Sequence, residues 1–146
     1  MRSHGLRIAF FGASLVSAWW NGAAMYYRGL LKALHARGHQ ITFYEPALPE
    51  RQRHRDLPVA PDWATVVVYS VEGTRGLERC LEEARDADVV VKASNVGFCD
   101  EWLDARVLEL EVRPDPGRLL GSGRSRHPGA PGGPSGGSLP GARAAL

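Results

Sequence analysis

A chain of 146 residues can build one modest domain with a real core, and a hydrophobic content of 44% is ordinary for a globular protein. The net charge of +2 hides an uneven distribution: residues 1–111 carry 13 basic and 15 acidic side chains, whereas residues 112–146 carry five Arg against the single Asp115. No basic stripe follows any predicted helix and no aromatic platform accompanies the arginines of the tail, so the charge gives no ground for a nucleic-acid partner and none is expected.

The run LRIAFF at residues 6–11, closed by Gly12, reads as a short strand buried on both faces, as in a parallel sheet. The same stretch, extended to the VSA at 16–18, also has the outline of a secretory signal peptide. The strand reading is preferred because it supplies the first strand of the fold that follows. After the loop 12–22, residues from about Ala23 to Ala36 place Tyr27, Leu30, Leu31 and Leu34 at helical spacing, with Arg28, Lys32 and Arg37 largely opposite and Gly38 as the stop. A second strand, QITFY at 40–44, ends at Glu45 and completes a βαβ unit whose helical crossover implies parallel pairing.

Residues 46–63, with four Pro and the charged run RQRHRD at 51–56, read as a long connection. A third strand is expected over 64–69, a helix over 75–85 with Leu77, Cys80, Leu81 and Ala84 inward, and a fourth strand over 88–92. A closing helix over 98–110 offers Trp102, Leu103 and Leu110 to the core. Strands alternating with helices indicate an α/β fold, a doubly wound parallel sheet. Cys80 and Cys99 stand apart with no clustered His, so neither a disulfide framework nor a metal site is expected, and Cys80 reads as a small buried hydrophobe. No run approaches the length of a membrane span, and a cytoplasmic location is expected.

Doubly wound sheets bind ligands at the carboxyl ends of their strands, which directs attention to residues 12–22, Glu45, the loop after Tyr69, and residues 93–97. Gly12 and Ser14 are small enough to admit a ligand to the backbone. Neither the dinucleotide fingerprint nor a phosphate-binding P-loop is present, which disfavours a nicotinamide enzyme. Without those glycines Glu45 reads as a solvated acid at a strand end. Asn21, followed by Gly22, is placed to cap the first helix, while Trp19 and Trp20 either offer flat faces on which a sugar stacks or cover the sheet edge. His54 lies among Arg51, Arg53 and Arg55, a cluster that meets an anionic substrate or is simply an exposed charge run. No nucleophile, base or paired carboxylates can be assigned from spacing.

Four segments, RIAFFGASL at 7–15, WNGAAMYYRGLLKALHARGH at 20–39, TFYE at 42–45 and RDLP at 55–58, together resemble the start of the CgeB-like glycosyltransferases. The resemblance spans about residues 6–111. It implies the Rossmann-like N-terminal half of a two-domain GT-B enzyme, a half that contributes mainly the acceptor side. It also implies a nucleotide-diphosphate sugar donor, held mainly by a C-terminal half, with no cofactor bound by this chain. Matched onto this sequence, Gly12, Ser14, Asn21, Gly22, Tyr27 and Arg28 would line the interdomain cleft and bind substrate, and Trp20, read above as a stacking face, joins them as a substrate-binding candidate.

The pattern departs after Leu110. Residues 112–146 contain nine Gly, six Pro and no aromatic residue, a composition that cannot offset chain entropy, and disorder is expected there. Shifted by one nucleotide, the codons for 115–127 permit TLVVFWAVDVPAT, a buried strand and a turn similar to the family's continuation. The expectation is therefore a truncated, frameshifted glycosyltransferase domain, inactive alone. The alternative is a stand-alone α/β module that binds a sugar or nucleotide without catalysis.

Overall fold

Parallel strands need long crossovers, and residues 4–110, which the computed structural model describes, supply them as helices. In chain order the elements are β1 (Arg7–Phe11), α1 (Ala23–Ala36), β2 (Gln40–Pro46), α2 (Pro49–Arg53), β3 (Thr65–Tyr69), α3 (Arg75–Ala84), β4 (Val89–Lys92) and α4 (Asp100–Glu109). The strands form one all-parallel sheet in the order β3-β2-β1-β4. The fold is thus α/β, doubly wound and Rossmann-like. The expectations for residues 112–146 lie outside the described residues.

Alternation along the central strands divides the core in two. Phe10 and Phe43, opposite each other in register, stack at 5.3 Å and join Ile8, Ile41 and Leu31 on the face covered by α1. The next pair, Phe11 and Tyr44, stacks at 4.7 Å on the other face with Leu77, Leu81, Leu103 and Val107 of α3 and α4. Cross-strand aromatic pairs of this kind fix the register, because a slip of one residue would exchange the two faces. Cys80 is buried among these residues, and burial pushes its thiol up to about 12, so it is an inert core group.

Helix α1 stops as its sequence foretells. Gly38 adopts φ +93°, its amide bonds to the His35 carbonyl and that of His39 to the Leu34 carbonyl, the paired arrangement of a Schellman ending. Three readings need correction. Leu30, expected in the core, is exposed, and α1 buries Ala24 and Leu31 with Tyr27 and Leu34 packed at the margin. Trp102 is only partly buried, leaving Leu103 and Leu110 inside. The connection 46–63 contains α2, where Pro49 stands at the helix start, the position at which a proline's missing N–H costs nothing.

Gly12 follows β1, and a Cβ there would stand 2.4 Å from Phe43 Cζ. Its smallness therefore admits the Phe43 ring. At Gly22 a Cβ would meet nothing within 4 Å, and the backbone is ordinary at φ −60°. Urea denaturation should consequently find Gly12→Val destabilised by about 2 kcal/mol through overpacking, and Gly22→Ala unchanged within about 0.5 kcal/mol. Equal effects at the two positions would contradict this packing.

Candidate binding site at the carboxyl edge of the sheet

From β1 the chain steps outward to β2 and β3, then crosses to place β4 on the other side of β1. The strand order therefore reverses between β1 and β4, and the loops at their carboxyl ends, residues 12–22 and 93–99, flank the position at which doubly wound folds form a ligand crevice. Three residues other than glycine adopt left-handed backbone among the described residues, namely Trp20 (φ 47°), Asn95 (φ 63°) and Cys99 (φ 51°). All three belong to these two loops, and such conformations persist only where surrounding contacts impose them.

Those contacts start at Glu45. Its side chain is fully buried at the end of β2 and accepts from the Ser14 hydroxyl (3.2 Å), the Leu15 amide (2.7 Å) and the Gln52 amide side chain (3.0 Å). Far from being a solvated strand-end acid, it is the anchor of the β1–α1 loop. Ser14 is buried as well, and its hydroxyl also receives the Ser17 amide. Asn21 does not cap α1: Gly22 occupies the cap position, and the Asn21 side-chain amide donates to the Ser14 carbonyl at 3.0 Å and the Ser17 carbonyl at 3.4 Å.

The charged run at 51–56 completes the clasp. Arg51 Nη1 donates to the Ala13 carbonyl (3.1 Å) and to the Val96 carbonyl (2.9 Å), tying both loops of the crevice together. The Ser17 hydroxyl donates to the His54 carbonyl, and the Leu57 amide donates to the Val16 carbonyl. Arg28 grips Asp56 with both Nη atoms (2.7 and 2.8 Å) while its Nε donates to the Leu15 carbonyl. Hydrogen bonding to Arg28, with help from the Ala18 amide, holds the Asp56 carboxyl well below its usual range. On the far side, Lys92 is buried at the end of β4 and donates to Asp100 and Asp104, each at 2.9 Å.

Of the residues proposed from sequence to meet substrate, Gly12, Ser14, Asn21 and Arg28 are thus engaged within the fold. Tyr27 packs 5.2 Å from Phe10 and 6.2 Å from Phe43, and burial raises its phenol. Gly22 is exposed beside Trp20, which is 87% exposed. Trp19 stacks on His54 at 4.6 Å and an interplanar angle of 12°, with Trp20 edge-on to it at 6.1 Å. Neither tryptophan belongs to the two buried clusters of the sheet. Sequence reasoning missed the structural part played by Arg51, Gln52 and Asp56; the signal available for it was Pro49 followed by Glu50, a helix start inside the charged run.

Comparison with protein-family models, curated proteins and solved structures returned no match.

Two outcomes are expected. Glu45→Ala would leave the buried Leu15 amide and Ser14 hydroxyl without their acceptor, and should lower stability by about 3 kcal/mol in urea denaturation. For Asp100, burial raises the carboxyl, but the bond from Lys92 and those from the Gly97 and Val96 amides outweigh it and set it below its ordinary 3.8. Asp56 is lowered as well. Groups depressed in the folded state contribute stability above their unfolded pKa and lose it as pH falls through the folded value. The urea midpoint should therefore hold from neutrality down to about pH 4 and drop below it, and a midpoint that rose there would contradict both pairings.

Proposed function

We propose that this chain binds a saccharide at the carboxyl edge of its sheet, as the acceptor side of a glycosyltransferase cleft. The observation that carries the reading is Trp20, a largely exposed indole held in left-handed backbone at the rim of the switch point and braced by Trp19 stacked on His54. A rigid aromatic face presents large apolar area at low entropic cost, which suits the apolar face of a sugar ring. In the full reaction of the family that the sequence resembles, a nucleotide-diphosphate sugar would be held by a second domain and its sugar passed to a hydroxyl of this ligand.

The chain's own share is binding and orientation. Ser14, Glu45, Arg28 and Asp56 are committed to one another or to backbone, which leaves none of them free to move a proton at the rim. That commitment favours a second reading equally, a stand-alone α/β module that captures a sugar without transferring it. Both unpaired thiols, Cys80 and Cys99, accord with a reducing cytoplasmic setting, which we include in the proposal. Among the described residues no helix is long and apolar enough to cross a membrane.

Titration of the full chain with methyl glycosides and short oligosaccharides, followed by tryptophan fluorescence, should show saturable binding of at least one of them. Trp20→Ala should weaken it about tenfold, roughly 1.4 kcal/mol, while leaving the urea midpoint in place because the side chain is exposed. Binding unaffected by the substitution, or no binding by any of the set, would contradict the proposal. Transfer from an added nucleotide-diphosphate sugar by the complete gene product would separate the enzymatic reading from the binding module.

A further inference from the structure

Arg51 has bonding capacity that the clasp does not use. A guanidinium offers five N–H donors, and the two on Nη1 are spent on the Ala13 and Val96 carbonyls. Both acceptors are neutral, and among the described residues no carboxylate lies within ion-pair distance of Arg51. The Nε and Nη2 donors, which form the side-on fork suited to two oxygens of one oxyanion, have no partner among the described residues. Arg51 is half-buried, and neither atom is among the unpaired buried polar atoms of the described residues, which are Arg7 Nε and the Tyr69 hydroxyl, so each keeps some solvent-accessible surface.

Two features make the fork a formed site. Its orientation is fixed from both sides of the crevice, since the Nη1 bonds reach loops that follow different strands, which removes most of the rotamer freedom an exposed arginine would lose on binding. The neighbouring wall is a glycine: at Gly97 (φ +96°) a Cβ would stand 3.3 Å from Nη1, Nη2 and Leu48 Cδ1, so the missing side chain lets the guanidinium lie in this place. The acids on flanking elements are already engaged, Glu45 by Ser14, Leu15 and Gln52, and Asp100 by Lys92 and the Val96 and Gly97 amides.

We propose that the Nε/Nη2 edge of Arg51, at the crevice between β1 and β4, is a binding site for a phosphate group. Planar, bidentate donation from a guanidinium is the strongest phosphate contact a single side chain provides. The site stands independently of the carbohydrate reading, since it uses neither tryptophan, and either ligand can fail while the other binds.

The test is isothermal titration of the full chain at low ionic strength with inorganic phosphate, pyrophosphate and a nucleoside diphosphate, with malonate as a carboxylate control. One phosphate-bearing ligand per chain should bind. Arg51→Met, which keeps the length of the side chain but removes the charge and fork, should weaken it at least tenfold, Arg51→Lys should weaken it less, and Arg55→Met should leave it unchanged. Tighter binding of the nucleoside diphosphate than of pyrophosphate identifies a nucleotide as the source of the phosphate, and equal binding identifies the free anion; the proposal holds in both cases. If Arg51→Met fails to fold, amide shifts of the unaltered protein decide the matter. Shifts centred on Ala13, Val96 and Gly97 support the site, and shifts centred on the exposed Arg75 and Arg79 overturn it. Absence of binding, preference for malonate, or full binding by a folded Arg51→Met also overturns it.

Discussion

The buried carboxylate of Glu45 is the constraint on which the functional edge of this molecule depends. A fully buried acid is tolerated only when donors converge on it, and here they come from three places in the chain: the hydroxyl of Ser14, the amide of Leu15 and the side chain of Gln52. Through them the end of β2 fixes the loop after β1 and the short α2. Once those two segments are held side by side, the remaining bonds follow: Arg51 to Ala13 and Val96, Ser17 to His54, Arg28 to Asp56 and Leu15. A loop that would otherwise have many conformations becomes part of the rigid body of the sheet.

That rigidity decides what the edge presents to a ligand. Small and charged residues that looked available in the sequence are used in holding the loops, and the groups turned outward are those with nothing left to bond inside. Trp20 projects from a backbone that its surroundings hold in a left-handed turn, and Arg51 keeps one edge of its guanidinium without a partner among the described residues while its other end is pinned. On the proposed reading an apolar stacking face and a phosphate-binding fork share one side of the sheet, the side to which doubly wound folds bring their ligands. Orientation is already supplied by the fold, so little conformational freedom would be lost on binding.

The architecture was legible because its signals are periodic. Short apolar runs at 6–11, 40–44, 64–69 and 88–92, alternating with helical spacing except across the connection 46–63, pointed to parallel strands, and the inward positions Leu77, Cys80, Leu81 and Ala84 of α3 followed from the same rule. The site was less legible because its decisive contacts, such as Leu15 to Glu45 and Arg51 to Ala13 and Val96, join residues 30 or more positions apart. Nothing in the local sequence distinguishes a buried Glu45 from a solvated one; the difference is made by Ser14, Leu15 and Gln52. Likewise the run at 51–56 looks like a hydrated charge cluster until the fold sets it against the carbonyls of Ala13 and Val96. Leu30 illustrates the opposite error, since helical spacing alone does not reveal which apolar residues at the margin of a stripe the sheet will cover.

The claim that the β1–α1 loop and residues 48–57 form one cooperative unit around Glu45 is tested most directly by native-state hydrogen exchange of the unaltered protein. The amides of Leu15, Ser17, Ala18 and Leu57 donate respectively to Glu45, Ser14, Asp56 and the Val16 carbonyl, and none belongs to a strand or helix. The account predicts that these four exchange together, with protection approaching that of the β1 and β2 amides. Exchange at the rate of unstructured peptide, with the strands still protected, would show that the loop opens independently of the sheet and would contradict it.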